Sequence, residues 1–242
     1  PALPVAAAEK NVRNFLAGFT PDGYCSEGMG YWNYGFGHFV LLAETLDQAT
    51  GGKLDLLSNP AVKQIALFGP RMEILPGIYP AFADCPPDAR PDERMMALLS
   101  RRFGLGMKDV EQRGLLLSAG PTSQLFAMGI YGFPNSASAR AASQTEPRQP
   151  LRDWFGDAGI LICRPAARNQ SALGVALKGG HNAEHHNHND VGSFLVALSR
   201  STPLVDPGSE VYTARTFSGR RYESQVLSSF GHPVPRVAGK LQ

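Results

Sequence analysis

At 242 residues, 43% hydrophobic and 18% charged, the chain is apolar enough for a packed core and too apolar for a disordered segment. Its formal charge of +2, with no basic run interleaved with aromatics, argues against a nucleic-acid binder. No apolar stretch approaches the roughly 18 to 20 residues that cross a bilayer, so no membrane insertion is expected.

The opening PALPVAAAEK lacks an initiator Met and the basic and apolar regions of a signal peptide, and reads as the interior of a longer protein. Val12, Phe15, Leu16 and Phe19 recur with the spacing of one helical face, and this stripe ends at the Pro21-Asp22-Gly23 turn. A second helix is expected from Gly37 to Gln48, with Gly51 just past its end. Asn59-Pro60 reads as an N-cap followed by Pro in the first turn, and Gly69-Pro70 as the close of that third helix. Further helices are expected over 92–102, 108–117 and 122–130, giving stacked helical hairpins.

Between Tyr131 and Arg152 the composition turns to Ser, Ala, Pro, Gln and Arg, as at a domain boundary. Beyond it, Ile160–Ile162, Leu173–Leu177, Ser193–Leu198 and Pro203–Val205 are short β-type runs, the last two flanking a hairpin turn. Helices first and strands afterwards predict an α+β protein of two domains, 1–150 and 151–242. Cys25, Cys85 and Cys163 are widely spaced without a CxxC pair and read as free thiols rather than zinc ligands or a disulfide framework.

Four of the six histidines lie in GGHNAEHHNHND: His181, His185, His186 and His188, with Asp190 close behind. In an extended segment, residues two apart point to the same side, so His186 and His188 are expected to face one site. Zinc takes about four N, S or O donors, and imidazole suits it. The best-placed partners for His188 are Asp206 in LVDPG and His232 in SSFGHPVP. The same residues also fit an exposed polar loop, a Pro-Gly turn and an isolated surface histidine. A second concentration, GYCSEGMGYWNYGFGHF, offers Glu27, Tyr31, Trp32, Tyr34 and glycines that admit a ligand to the backbone. On composition alone it fits better a packed aromatic turn between helices.

Taken together, EGMGYWNYG, HHNHNDVGSF, PLVDPGSEVYTARTFSGRRYES and GHPVP, in that order, resemble the heparinase II/III family of polysaccharide lyases. The resemblance implies an incomplete α/α toroid followed by an antiparallel β-sandwich, and β-elimination in a uronic-acid-containing polysaccharide of heparan, heparin, alginate or related type. That chemistry must neutralise the uronate carboxylate, remove the C5 proton and protonate the leaving oxygen. The resemblance gives Tyr34, or alternatively Tyr31, the role of catalytic tyrosine, and His186 that of catalytic histidine. It makes His188, Asp206 and His232 the ligands of a structural zinc. Glu27, Trp32, Arg220 and Arg221 are the substrate-binding candidates, the two arginines because guanidinium forks suit carboxylates and sulfates.

The family's upstream Asn or His for carboxylate neutralisation has no counterpart here, and the chain stops inside the expected sandwich, so an internal fragment is expected. A periplasmic or secreted enzyme acting on an acidic polysaccharide is implied. The alternatives are a zinc-dependent glycan hydrolase, with the metal holding an attacking water, and a carbohydrate-binding relative without catalysis.

Overall fold

The structure is a computed structural model, described over residues 2–116, 149–166 and 172–242. The expected helix over 122–130 and most of the 131–152 boundary segment lie outside these residues. The chain divides into two compact units. The first comprises Pro1–Gly18, Trp32–Leu67 and Pro91–Gln149, and the second Phe19–Tyr31, Phe68–Arg90 and Pro150–Gln242.

The first unit is helical: α1 (Ala2–Leu16), α3 (Gly37–Thr50), α4 (Pro60–Ala66), α6 (Glu93–Phe103) and α7 (Lys108–Leu116). Its ends follow local chemistry. Gly51 and Gly104 take the left-handed conformation that closes α3 and α6, and the Asn59 and Asp92 side chains accept the first free N–H groups of α4 and α6. Trp32–Phe36 forms a π-helical turn running directly into α3, so this aromatic segment is helical rather than a connecting turn. Trp32, Phe36, Val40, Val62, Ile65 and Leu99 are buried in its core, and the Trp32 indole N–H donates to the Ile65 carbonyl at 3.0 Å.

In the second unit, α2 (Gly28–Tyr31) and α5 (Phe68–Met72) accompany a five-stranded antiparallel sheet. The strands β1 (Arg152–Phe155), β2 (Ile160–Cys163), β3 (Leu173–Lys178), β4 (Phe194–Leu198) and β5 (Ser201–Leu204) are paired in sequence order. α5 runs straight through Gly69-Pro70, which was expected to end the preceding helix. Pro70 lies in the first turn of this new helix, where a missing N–H costs nothing.

Strand β1 escapes the sequence pattern because one of its two inward residues, the one beside Phe155, is a carboxylate. Asp153 is buried, and accepts from Arg71 Nε at 3.0 Å and Arg164 Nη1 at 2.7 Å. Phe155 and Ile162 alternate inward on the same sheet, where Tyr24, Phe68 and Phe155 pack with ring centroids 5.3 to 6.1 Å apart. Among the described residues the opposite face exposes Trp154, Leu173, Leu177 and Leu198. The two faces are thus both apolar, as in a sheet covered on both sides. Residues 205–242 carry a single short 3-10 turn, Arg221–Glu223, among the described elements, and side-chain bonds hold them in place.

No helix among the described residues is long and apolar enough to cross a membrane. Cys25, Cys85 and Cys163 are free thiols, the first two buried.

Candidate active site and metal centre

The site lies within the second unit and is organised by a residue the sequence reading did not single out. The Asp84 side chain is completely buried and accepts hydrogen bonds from His186 Nδ1 (2.6 Å), His188 Nε2 (2.8 Å) and the Tyr212 hydroxyl (2.7 Å). Burial opposes its charge, but hydrogen bonds from His188, Tyr212 and His186 prevail and hold the carboxyl far below the usual carboxylate range. An ionised carboxylate only accepts, so the facing ring nitrogens carry the protons. This assigns the Nδ1–H tautomer to His186 and the Nε2–H tautomer to His188.

His186 and His188 do share one side, as the spacing predicted, but in a turn rather than a strand. His186 has φ of 53°, the left-handed region that a bulky residue rarely enters. Arg221 braces this backbone: Nη2 donates to the His186 carbonyl at 2.9 Å, Nε to that of Asn187 at 2.9 Å and Nη1 to that of Thr216 at 3.0 Å. The His186 side chain is 28% exposed, and its Nε2 makes no hydrogen bond among the described residues.

A line of phenols meets this pair. Tyr212 spends its proton on Asp84, so the Tyr31 hydroxyl, 2.9 Å away, donates to Tyr212. Burial first, then the bond to Asp84 and the charge of that carboxylate, push the Tyr212 phenol well above its ordinary value. Tyr31 also lies with its ring centroid 5.4 Å from that of His186, and Phe217 closes another side at 6.3 Å.

Behind His186 lies a buried cluster. The His232 Nδ1–H donates to Asp206 Oδ2 at 2.9 Å, which leaves His232 Nε2 as a lone pair. His188, donating to Asp84 through Nε2, likewise presents Nδ1 as a lone pair, and these two nitrogens are 3.2 Å apart. Two lone pairs at that distance repel unless a cation lies between them. Two nitrogens bonded to one tetrahedral zinc, at about 2.0 to 2.1 Å each, are separated by roughly 3.3 Å. Asp190 Oδ1 is buried with no hydrogen-bond partner among the described residues, and Asp190 groups with His188 and His232 with ligand atoms within 4.8 Å of one another. The donor set therefore fits zinc.

Asp206 was expected as a direct ligand. In this geometry its oxygens are engaged: Oδ2 receives His232 Nδ1 and the Ser193 hydroxyl (2.5 Å), and Oδ1 receives Gly208 N–H (3.0 Å). Burial opposes its charge, yet hydrogen bonding and charge from His232, with Ser193 and Gly208, hold its carboxyl below the usual range. The other oxygen of Asp190 bonds Lys178 Nζ at 2.8 Å, and Glu184 lies 3.2 Å from the same ammonium.

The remaining candidates are placed as follows. Tyr34 is in the first unit, 60% exposed, with its ring centroid 4.6 Å from that of His38. Trp32 is fully buried in the core of that unit and offers no open face to a sugar. Glu27 is half-buried near the start of α2. Arg220 is exposed and forked onto Glu223 at 2.7 to 3.0 Å, while the Arg221 guanidinium is committed to the three carbonyls named above. The hints available for Asp84 and Tyr212 were weak: an acid embedded in the apolar run Ala81-Phe82-Ala83-Asp84-Cys85, and a tyrosine within the VDPG segment.

No family model and no curated protein sequence matches the chain. Solved structures do match it. A heparinase III gene product is 15% identical with a TM-score of 0.58, over 96% of this chain and 32% of its own. The heparan sulfate lyase of Pedobacter heparinus is 16% identical with a TM-score of 0.56, over 87% of this chain and 29% of its own. A further structure of heparinase III is 18% identical with a TM-score of 0.55, over 94% of this chain and 33% of its own. The chain thus has a heparinase-like α+β fold and spans about a third of the length of the lyases it resembles.

Proposed function

We propose that the chain is the site-bearing part of a polysaccharide lyase that cleaves a uronic-acid-containing glycan by β-elimination. The observation that carries this reading is His186: its Nδ1–H is spent on a buried carboxylate, its Nε2 is unengaged, and its ring adjoins the Tyr31 phenol. His186 Nε2 takes the C5 proton, the C4–O bond breaks, and the Tyr31 hydroxyl gives its proton to the leaving oxygen. Tyr31 is preferred over Tyr34 because its hydroxyl belongs to the same hydrogen-bonded line as Asp84 and His186. The apolar second face of the sheet supports a β-sandwich, and the helices of the first unit support a partial α/α toroid. A periplasmic or secreted location and an acidic polysaccharide partner belong to the same reading.

His188 and His232, with Asp190 through its unpartnered Oδ1, would hold zinc, and Asp206 would orient His232 from behind. Bound zinc would supply cross-linking of the histidine loop to the C-terminal segment. The side chains of His188 and His232 are completely buried and Asp190 is nearly so, which favours a closed structural site over the hydrolase alternative with its open water position.

The test is incubation of the longer lyase of which this chain is the site-bearing part with a panel of uronate polysaccharides, read as near-ultraviolet absorbance of unsaturated products. Wild type is expected to form them. Tyr31→Phe is expected to lower turnover by 100-fold or more while glycan binding persists, on the order of what a lost general acid costs. Absence of unsaturated products from every polymer, or full turnover by Tyr31→Phe, refutes the assignment.

A further inference from the structure

Asp84 is the one described side chain that touches both the reactive histidine and the metal-side histidine. Oδ2 receives His186 Nδ1 at 2.6 Å and the Tyr212 hydroxyl at 2.7 Å, while Oδ1 receives His188 Nε2 at 2.8 Å, with Arg221 Nη2 3.6 Å away. The backbone around it is equally constrained. Ala83 is left-handed with φ of 62°, and Gly208, also left-handed, packs directly on the Cys85 carbonyl, to which the Ser209 N–H donates at 3.1 Å. A buried carboxylate with both oxygens facing imidazole N–H groups leaves each ring a single tautomer and a single orientation.

We propose that Asp84 is a positioning residue that locks His186 in the Nδ1–H tautomer, so that Nε2 is the basic nitrogen, and that it fixes His188 in the complementary orientation through its second oxygen. One side chain then sets the reactive imidazole and the imidazole facing His232 against each other. It acts through the two rings, as the outer carboxylate of a catalytic or metal-bound histidine does. This inference rests on the lyase reading for its kinetic consequence, but its structural content can be read without turnover.

The experiment uses the full chain labelled with 15N-histidine and records imidazole 15N shifts and one-bond N–H couplings with saturating zinc. Wild-type His186 is expected to show a protonated Nδ1 and an unprotonated Nε2. In Asp84→Asn, one oxygen is replaced by an NH2 donor, which cannot receive a ring N–H. The His186 tautomer is expected to switch or become mixed, with kcat falling 100- to 10,000-fold and KM changing less than about threefold. Tyr212→Phe removes the third donor on Asp84 and is expected to leave the His186 tautomer as in wild type.

A wild-type His186 with its proton on Nε2 overturns the proposal at once, whether or not Asp84→Asn folds. So does an Asp84→Asn protein that keeps both the Nδ1–H signature and full kcat. If wild type shows the Nδ1–H tautomer, Asp84→Asn loses it, and no uronate polymer is cleaved, the positioning role stands and the lyase reading fails.

Discussion

Gly208 carries the most direct structural expectation. A Cβ built there would lie 2.0 Å from the Cys85 carbonyl oxygen and 3.1 Å from that of Ala81, and the residue has φ of 68°. Gly208→Ala thus meets two independent penalties: about 1 to 2 kcal/mol for an alanine in the left-handed region, and about 1 to 3 kcal/mol for overpacking against backbone that cannot rotate away. The sum, roughly 2 to 5 kcal/mol, corresponds to a fall of roughly 4 to 20 °C in Tm for a protein of this size.

The consequence reaches the site because the 81–85 segment presents Asp84 and the 206–209 segment presents Asp206. Forcing them apart weakens the anchors of His186, His188 and His232 together. Thermal unfolding followed by circular dichroism is the assay, with zinc content measured in parallel. Gly219→Ala is the control, since nothing lies within 4 Å of its Cβ position. A Gly208→Ala protein melting within 2 °C of wild type with full zinc refutes the close approach of these two segments.

The other expectations concern the metal, the arginines and the acid limb. Asp190→Asn is expected to remove stoichiometric zinc, whereas Asp206→Asn, acting behind His232, weakens affinity about 10- to 100-fold; inductively coupled plasma analysis and competition with a chelator separate these, and the reverse order makes Asp206 the direct ligand. Arg221→Lys keeps the charge, but one nitrogen cannot reach the three carbonyls now met by three separate guanidinium nitrogens, so a loss of about 1 to 3 kcal/mol in urea unfolding is expected. Arg220→Lys, at an exposed pair with Glu223, leaves the melting temperature unchanged. Burial opposes the charge of Glu210, but hydrogen bonds from Ser224, Arg215 and Thr216 hold its carboxyl below the usual range. A depressed folded-state value means stability present above the unfolded-state pKa of about 4.3 and lost as pH falls through the folded one. Glu210→Gln is therefore expected to flatten the acid limb of stability below about pH 4.5; an unchanged limb removes Glu210 from that role.

Much of the scaffold was legible in sequence because its signals are local. Gly51, Asn59, Asp92 and Gly104 act on the backbone groups beside them, so the end of α3, the start of α4 and both ends of α6 follow from short-range chemistry. Strands β2 to β4 announced themselves as apolar runs, whereas β5 begins at Ser201, ahead of the expected run Pro203–Val205. Strand β1 did not announce itself, because one residue it buries, Asp153, is made tolerable by Arg71 and Arg164, which lie far away in sequence or beyond a turn. α5 escaped because Gly-Pro in isolation reads as a stop.

The histidine cluster was visible as composition, and the common side of His186 and His188 as spacing. Which nitrogens face which partners was not visible, since that depends on Asp84, more than a hundred positions upstream, and on Asp206 and His232 downstream. Likewise Tyr34 and its alternative Tyr31 stand three residues apart in one aromatic segment, with the resemblance pointing first to Tyr34. Only folding separates them, placing Tyr31 in the unit that carries Tyr212 and His186 and Tyr34 in the helical unit. Residue type and short-range pattern determined which groups are available for chemistry. Tertiary structure decided which atoms are presented for it, because the direction of a hydrogen bond and the burial of a carboxylate exist only once distant segments meet.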